Sequence, residues 1–465
     1  MIPNQKGTSI HKVTRSATDR YLSAMTIIAP AGRGLTFGDP ATVDGGLSAL
    51  ARGLKGSEIL RIAADVRALL AEGRPVCNLT VGDFDPKQFP VPHGLRTGIQ
   101  RALDAGETNY PPSDGLPSLR TAVVEYIARE HGVRYPLDGV MITSGGRPAI
   151  YAAFRCILSP GDTVLYSVPS WNNDYYAMMV GAREAPVPAR REAGFMPTVD
   201  DLAPYLGSAT LLSLCSPNNP TGTLLSPEVL RGIMEAVVDE NARRQAVGGR
   251  PLYVLYDLMY GALVYNGAAH AHPLAVAPEA APWVVTLDGI SKAFAATGLR
   301  VGWATGAPAV ISRMRDLLGH VGAWAPRPEQ VATAALLRDV EGITAYRAEM
   351  HRGLEARLDA LYAGFMRLRS EGYPVDCVRP QGAMYLSLQL DLVGRSVGGV
   401  PIENNEGLRK LMLERAGLAV VPFQAFGLKA DTGWSRLSAG AVSVRDIEEC
   451  FPKVREVLDT VSGEQ

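Results

Sequence analysis

Short apolar runs alternate with amphipathic helical patterns through the middle of the chain. The runs are GVMITS, DTVLYSVP, ATLLSLCSP, PLYVLYD, WVVTLDGI and LRVGWATG, which begin at residues 139, 162, 209, 251, 283 and 299. Several are almost continuously apolar, which is typical of strands buried on both faces. Helical patterns such as 148–158 and 227–241 separate most of them. The alternation predicts an α/β fold whose large sheet is mostly parallel and covered by helices.

The pattern changes on either side of this region. A helical pattern covers 47–72 and is followed by the extended segment CNLTVGDFDPKQFPVP, and beyond 327 a long helical region precedes the strand-like strings GAMYLSLQL and WSRLSAG and a final helix. Residues 1–46 are rich in glycine, proline and threonine, and Met25 is a second possible start. The domains we expect are a flexible extension at 1–46, a segment at 47–90 that packs with the C-terminal domain, a large domain at 91–326 and a smaller α+β domain at 327–465.

Composition narrows the class of protein. The 465 residues carry a formal net charge of −1 and are 47% hydrophobic, so no basic surface for nucleic acid or for an anionic membrane is indicated. No apolar run is long enough to span a bilayer, and the N-terminus lacks the apolar core of a signal peptide. The five cysteines are scattered without metal-ligand or redox spacing, which predicts reduced thiols in a cytoplasmic protein.

Lys292 stands where an ordinary surface lysine is not expected. It follows the apolar run 283–290 and precedes AFAATGLRVGW, so its neighbours are small or apolar rather than acidic. Desolvation in such surroundings disfavours the ammonium ion and favours a neutral, nucleophilic amine. Such an amine can form a Schiff base with an aldehyde.

Polar residues at strand ends supply further chemistry. Asn219, in SPNNPTG, follows an apolar strand where open α/β sheets bind ligands, although this string also suits an ordinary turn. Asp257 ends the run LYD and is either a helix N-cap or a carboxylate that needs a cationic partner, and Tyr260 could face the same pocket. Arg436 lies within the strand-like WSRLSAG, where it requires an anion such as a substrate carboxylate.

An anion site is indicated at the start of GGRPAIYAAF (145–154). Two glycines at a strand-to-helix junction leave backbone N–H groups free, and Arg300 and Ser291 could serve the same anion.

Trp171, in VPSWNND, is either core packing or a stacking surface. An amine nucleophile, a carboxylate, a phenol, a stacking ring and an anion cradle together fit the groups of pyridoxal 5′-phosphate.

Four strings in a fixed order carry a family resemblance. SPNNPTG, YDLMY, SKAFAATGLRVGW and RLSAG resemble the class I/II aminotransferases, which depend on pyridoxal phosphate and have PLP fold type I, like aspartate aminotransferase. The resemblance covers about 47–460 and includes LTVGDFD, TNYPPSDGLPSLR and TSGGRPA. It implies a transaminase that moves an amino group between an L-amino acid and a 2-oxo acid, and a homodimer with shared active sites.

The resemblance also implies a role for each site residue. Lys292 would be the Schiff-base and proton-transfer lysine, and Asp257 would pair with the pyridine nitrogen. Arg436 would bind the substrate α-carboxylate, with Gly82 close to that group. The other implied cofactor contacts are Tyr260 and Asn219 at the ring oxygen, Trp171 on the ring, Gly146, Arg147, Ser291 and Arg300 at the phosphate, and Tyr110 at the phosphate of the neighbouring subunit.

The substrate is the least determined property. Arg147 stands where some dicarboxylate-specific relatives place a lysine, so we expect aspartate or glutamate as one substrate. Trp171, Tyr110 and Met384 favour instead an aromatic or apolar amino acid, since they would line the pocket.

Gly289, three positions before Lys292, replaces a phosphate-binding serine of many relatives, so Ser291 and Arg300 would contribute more of the phosphate binding.

Two functions other than transamination use the same fold. A β-lyase would use the same core residues but eliminate a side-chain group. A non-enzymatic regulator would join a ligand sensor to a DNA-binding module, yet residues 1–46 are too few for a winged helix and contain no basic recognition helix.

Overall fold

The computed structural model describes residue 35 and residues 37–462. Residues 1–34, with Met25 and most of the expected extension, lie outside the described part. The chain divides between Leu54 and Lys55 into two compact units.

The first unit holds two short helices, Pro40–Gly45 and Ala49–Gly53. The Asp39 carboxylate accepts a hydrogen bond from the Thr42 N–H, and the Ser48 hydroxyl accepts one from the Ala51 N–H, so both helices are capped at their N-termini. The continuous helix expected over 47–72 is wrong, because the chain turns extended at Leu54 and becomes helical again only at Glu58–Ala71. Glycines disfavour the helical conformation at this break.

The second unit contains the strands and the remaining helices. The strands are β1 (Cys77–Asn78), β2 (Val140–Thr143), β3 (Thr163–Val168), β4 (Arg183–Pro188), β5 (Leu211–Cys215), β6 (Tyr253–Asp257), β7 (Val284–Gly289), β8 (Gly302–Thr305), β9 (Val375–Val378), β10 (Tyr385–Leu390), β11 (Ser396–Val397), β12 (Val400–Pro401), β13 (Leu418–Ala419), β14 (Val421–Pro422), β15 (Trp434–Ser438) and β16 (Val461–Ser462). The helices are Glu58–Ala71, His93–Asp104, Pro117–His131, Gly146–Ile157, Asn173–Val180, Val199–Leu206, Pro227–Ala246, Pro273–Val276, Ile290–Ala293, Pro308–Val321, Arg327–Arg338, Val340–Ser370, Asn405–Ala416 and Val444–Leu458, and single 3₁₀ turns lie at Leu137–Gly139, Arg191–Ala193, Pro278–Ala280, Thr297–Leu299 and Phe423–Phe426.

Seven strands form the large sheet, in the order β2-β8-β7-β6-β5-β3-β4. Strand β8 runs antiparallel to its neighbours β2 and β7, and the other pairs are parallel. The six apolar runs all became strands of this sheet. The edge strand β4 was missed because its sequence, REAPVP, begins with two charged residues and contains two prolines, which sheets tolerate at an edge.

Helices cover both faces of the large sheet. One face packs against Pro117–His131 and Pro227–Ala246, which bury residues such as Val123 and Val237. The other packs against helices that include Gly146–Ile157, which buries Phe154. Because β5, β6 and β7 are parallel neighbours, the loops that follow them emerge at the same edge, where open α/β sheets form ligand sites.

A second sheet lies in the C-terminal part of the chain. It is antiparallel, in the order β14-β15-β10-β9, and the 31-residue helix Val340–Ser370 packs on it. Strand β1 pairs with β13, and Ile62 of the helix Glu58–Ala71 is buried against Phe423 and Trp434. The division of 47–465 into domains at 90 and 326 stays a prediction. Across the described residues no helix is both long and apolar enough to cross a membrane.

Candidate active site

A cavity of about 610 Å³ opens at the edge of the large sheet where β5, β6 and β7 end. Eleven of the twelve residues predicted for the site line it, namely Gly82, Gly146, Arg147, Trp171, Asn219, Asp257, Tyr260, Ser291, Lys292, Arg300 and Arg436. They come from segments far apart in the sequence. The chain therefore brings the predicted chemistry to one place, and Tyr110 alone of the twelve lies elsewhere.

Lys292 lies in the four-residue helix Ile290–Ala293, which begins directly after β7. Its Nζ donates a hydrogen bond to the carbonyl oxygen of Gly82 at 2.6 Å. Burial lowers the pKa of the Lys292 amine to about 8, the Asp83 carboxylate acts against this shift, and the nearby arginines reinforce it. Gly289 has no room for a side chain, because a Cβ there would lie 2.7 Å from the Val301 carbonyl oxygen.

Asp257 ends β6 with its carboxylate at the cavity. One oxygen accepts a hydrogen bond from the Met259 N–H at 2.8 Å, and no cation pairs with the carboxylate in the part of the chain that the structure describes. Burial therefore raises the pKa of Asp257 to about 6. The N-cap alternative is wrong, since the next helix begins only at Pro273–Val276.

Gly145 and Gly146, together with the guanidinium of Arg300, form a cradle beside the cavity. Gly145 has a φ of 79°, and a Cβ at this position would lie 2.1 Å from a guanidinium nitrogen of Arg300, so only glycine permits this approach. The guanidinium donates to the carbonyl oxygens of Thr297 at 2.6 Å and Ser144 at 3.1 Å. Burial lowers its pKa, and the charge of Arg147 adds to the effect.

This cradle has the features of an anion site. The helix Gly146–Ile157 begins beside it, and the first N–H groups of a helix have no partner within the helix. Ser291, which is buried, also reaches the cavity. The combination of helix N-terminus, hydroxyl and guanidinium suits a phosphate.

Arg436, on β15, is fully buried beside Asn219. It donates to the Asn219 side-chain oxygen at 3.0 Å and to the Thr80 carbonyl oxygen at 2.7 Å, and its Nε has no partner in the part of the chain that is described. Its guanidinium carbon lies 4.7 Å from the centre of the Tyr385 ring and 4.9 Å from that of Phe426. Among residues 37–462 no carboxylate pairs with Arg436, so its charge is left for an anion that enters the cavity.

Trp171 lines the cavity with Arg147 stacked on it. The guanidinium carbon of Arg147 lies 4.6 Å from the centre of the indole ring, which is a cation–π distance. Arg147 forms no ion pair with any described residue. The core-packing alternative for Trp171 is therefore only partly right, because the ring packs on Tyr176 and also borders the cavity.

Tyr110, expected at the active site of a neighbouring subunit, and Met384, expected at the wall of its own, do not line this cavity. Tyr110 is 83% exposed and contacts Trp324 edge-on, with ring centres 5.2 Å apart. Met384 is fully buried, and its methyl group lies where a Cβ of Gly440 would be, so the expectation that it forms the pocket wall is wrong. Tyr385 lines the cavity in its place.

Sequence reasoning missed Tyr385, whose hydroxyl lies 2.7 Å from that of Tyr260. Adjacent residues of a strand point to opposite faces, so the alternation in GAMYLSLQL could have separated Tyr385 from Met384. It also missed Cys215 at the end of β5 and Glu58 at the start of the helix Glu58–Ala71, both of which border the cavity. No group of histidine, cysteine and acidic residues within the described chain is arranged to hold a metal ion.

A protein-family model matches most of the chain. The model of the aminotransferase class I and II family fits residues 74–452. The chain belongs to this family. Its predicted enzyme class, an aminotransferase, is thereby confirmed.

Individual family members agree in sequence and in fold. A probable aspartate/prephenate aminotransferase of Thermus aquaticus is 33% identical over 389 residues, which are 82% of this chain and 93% of that protein. The aspartate aminotransferase of Rhizobium meliloti has a crystal structure that superposes with a TM-score of 0.80 at 26% identity, covering 90% of this chain and 99% of that one. An aspartate aminotransferase from Thermus thermophilus, solved with maleate, gives a TM-score of 0.78 at 29% identity, covering 89% and 99%. The predicted α/β architecture of PLP fold type I is confirmed by these structures.

Proposed function

We propose that this aminotransferase exchanges an amino group between an L-amino acid and a 2-oxo acid, with pyridoxal 5′-phosphate held in the cavity and a dicarboxylic amino acid as one substrate. The observation that carries the proposal is the charge pattern of the cavity. One space is faced by a desolvated amine, by a carboxylate and by three arginines, and neither the carboxylate nor the arginines form an ion pair with any described residue. Such unpaired charges are costly unless a ligand compensates them.

The cavity fits pyridoxal phosphate group by group. The cradle of Gly145, Gly146 and Arg300 suits its phosphate. A protonated pyridine nitrogen would supply the cation that no residue of the described chain gives to Asp257. Because Arg436 occupies the Asn219 side-chain oxygen, the Asn219 amide nitrogen is left to donate to a ring oxygen. When bound, the cofactor supplies an aldehyde for the amino group and a ring that withdraws electrons from the substrate α-carbon.

The protein's own groups would bind the substrate and move its proton. Arg436 offers its Nε and its charge to the α-carboxylate, and the Tyr385 and Phe426 rings hold the guanidinium in place. Lys292, with a pKa lowered to about 8, can take and return the α-proton near neutral pH. Gly82 lies between these two residues, since its carbonyl accepts from Lys292 and its Cα faces Arg436.

Arg147 is the residue on which the dicarboxylate proposal rests. With Arg300 at the phosphate cradle and Arg436 for the α-carboxylate, Arg147 remains as a third cation in the cavity without an ion pair to any described residue. A side-chain carboxylate of aspartate or glutamate would supply its partner. The names of the relatives support this choice, since they include aspartate, and the Thermus thermophilus structure was solved with maleate, a dicarboxylate.

Two measurements test the proposal. The first is a spectral titration of the holoenzyme with single amino acids, in which donors convert the bound cofactor to its amine form. The second compares kcat/KM for aspartate, tyrosine and alanine with 2-oxoglutarate in the wild type and in Arg147→Gln. We expect Arg147→Gln to lower kcat/KM for aspartate roughly 10–100-fold, as the loss of a charged hydrogen bond would, and to leave alanine nearly unchanged.

A matched variant controls for loss of positive charge alone. Arg313 is exposed on the helix Pro308–Val321, away from the cavity, so Arg313→Gln should leave the aspartate preference intact. A wild type that uses alanine as well as aspartate would contradict the dicarboxylate proposal. A preference for tyrosine would support the aromatic alternative, which the rings of Trp171, Tyr260 and Tyr385 at the cavity favour. Pyruvate and ammonia released without a 2-oxo acid acceptor would support a β-lyase.

We also propose a homodimer in which Tyr110 serves the neighbouring active site. Tyr110 is exposed and outside its own cavity, while the Nε1 of its neighbour Trp324 is buried without a partner among the described residues. Light scattering should give twice the mass of one chain. Mixing inactive Lys292→Ala with Tyr110→Ala subunits should restore part of the activity, because one of the two sites in a hybrid is then intact.

The five free cysteines support a reducing, cytoplasmic location.

A further inference from the structure

Two tyrosine hydroxyls meet at the wall of the cavity. The Oη atoms of Tyr260 and Tyr385 lie 2.7 Å apart, and their rings pack edge-on with centres 5.5 Å apart. Both side chains are almost fully buried. Tyr260 follows β6 of the large sheet and Tyr385 begins β10 of the second sheet, so this hydrogen bond links the two halves of the site.

The surroundings decide which hydroxyl donates. A hydroxyl has one proton, so one tyrosine must donate and the other must accept. Among the described residues neither hydroxyl has another hydrogen-bond partner, so the tyrosine that accepts keeps its own proton for a ligand. If Tyr260 donated, the Tyr385 proton would be the one left for the cavity. If Tyr385 donates, the Tyr260 proton is free to point into the cavity that both residues line.

The position of Arg436 favours donation by Tyr385. Its guanidinium carbon lies 4.7 Å from the centre of the Tyr385 ring, so its positive charge acts more directly on Tyr385 than on Tyr260 and makes the Tyr385 hydroxyl the stronger donor. Gly82 adjoins the Tyr385 hydroxyl, since a Cβ on Gly82 would lie 3.0 Å from the tyrosine oxygen.

We propose that Tyr385 is a positioning residue that donates to Tyr260 and thereby directs the Tyr260 proton into the cavity, toward an oxygen of the bound ligand. Under the proposed function, on which this inference rests, that oxygen is the ring oxygen of pyridoxal phosphate. Arg436 then acts twice, once as a cation for a carboxylate and once by polarising the donor to Tyr260. The substrate-binding arginine and the cofactor-binding tyrosine are coupled through Tyr385.

The test uses the holoenzymes of Tyr385→Phe, Tyr260→Phe and the double variant. Phenylalanine keeps the ring packing and removes only the hydroxyl. The readout is the pH midpoint of the visible absorption change of the bound cofactor. The midpoint reports the loss of a proton that the bound cofactor holds at Lys292, and negative charge on the ring oxygen stabilises this proton. A hydrogen bond to the ring oxygen reduces that stabilisation, so weakening the bond should raise the pH midpoint. We expect Tyr260→Phe to raise it most and Tyr385→Phe to raise it by roughly 0.5 pH unit or more.

The double variant separates positioning from a general structural effect. Once the Tyr260 hydroxyl is absent, loss of the Tyr385 hydroxyl should change the midpoint no further, whereas independent effects would add. Tyr265→Phe is the matched control, because it removes a buried tyrosine hydroxyl that has no partner among the described residues and lies outside the cavity. It should leave the midpoint unchanged.

Each outcome has a definite meaning. A midpoint in Tyr385→Phe equal to that of the wild type, or additive shifts in the double variant, would overturn the inference while the cofactor proposal stands. A wild type that binds no pyridoxal phosphate would overturn the proposed function and this inference with it. A shift in Tyr385→Phe that is absent when Tyr260 is already phenylalanine would support it, whatever the melting temperatures of the variants.

Discussion

The protonation of Lys292 offers a quantitative test of the site. Burial lowers the pKa of its amine from 10.5 to about 8. At pH 7 about one-tenth of the amines are then neutral, against about one in three thousand for an ordinary lysine, so the reactive fraction is roughly 300-fold larger. Only the neutral amine attacks an aldehyde, and the rate of cofactor capture should follow this fraction.

The assay mixes cofactor-free protein with pyridoxal phosphate in a stopped-flow instrument between pH 6 and pH 11 and follows the visible absorption. We expect the capture rate to rise with pH, to reach half its maximum near pH 8 and to level off above about pH 9. Asp83→Asn should move the midpoint lower, because the Asp83 carboxylate stabilises the ammonium form of Lys292. The amide still offers the oxygen that accepts from the Thr297 hydroxyl at 2.7 Å, so local packing is kept.

Three results would refute this reasoning. A capture rate that climbs up to pH 10 or beyond would mean that the Lys292 amine is solvated like a surface lysine. A higher midpoint in Asp83→Asn would contradict the sign of the electrostatic effect. Undiminished capture by Lys292→Ala would show that another lysine reacts.

Three further predictions follow from the site. Asp257→Asn should weaken cofactor binding and lower kcat. The folded pKa of Asp257, about 6, lies above the ordinary 3.8, so the wild-type carboxyl stabilises the cofactor-free fold only when it is protonated, and this contribution is lost as the pH rises from about 4 through 6. The free energy of unfolding in urea, measured at both pH values, should therefore fall less in the variant than in the wild type. Arg436→Lys should raise KM for every amino donor, with kcat/KM lower by roughly 10–100-fold, because an ammonium cannot bind a carboxylate in bidentate fashion; steady-state kinetics that show an unchanged KM would exclude this role. Gly145→Ala should raise the dissociation constant of pyridoxal phosphate, measured by fluorescence titration, because a Cβ 2.1 Å from the Arg300 guanidinium and a φ of 79° both disturb the cradle; an unchanged constant would place the phosphate elsewhere.

Local patterns in the sequence predicted much of the large sheet and the identity of its chemistry. The apolar runs became β2, β3, β5, β6, β7 and β8 because continuous burial on both faces leaves a signal within each segment. The edge strand β4, which is mostly exposed, carried no such signal. The helix break before Glu58 was missed for a related reason, because an apolar periodicity continues across a break that only a few backbone angles decide.

The sequence by itself determined which reactive groups the chain possesses and that Lys292, Asp257 and Asn219 each end a strand or follow one. Only the tertiary structure decided how these groups act on one another. It put the Gly82 carbonyl at Lys292, placed no cation of the described chain beside Asp257, and joined Arg436 to Tyr260 through Tyr385. The reason is physical: strand periodicity is a property of neighbours in the chain, whereas desolvation, hydrogen-bond direction and charge compensation depend on distances between segments that the sequence separates by hundreds of residues.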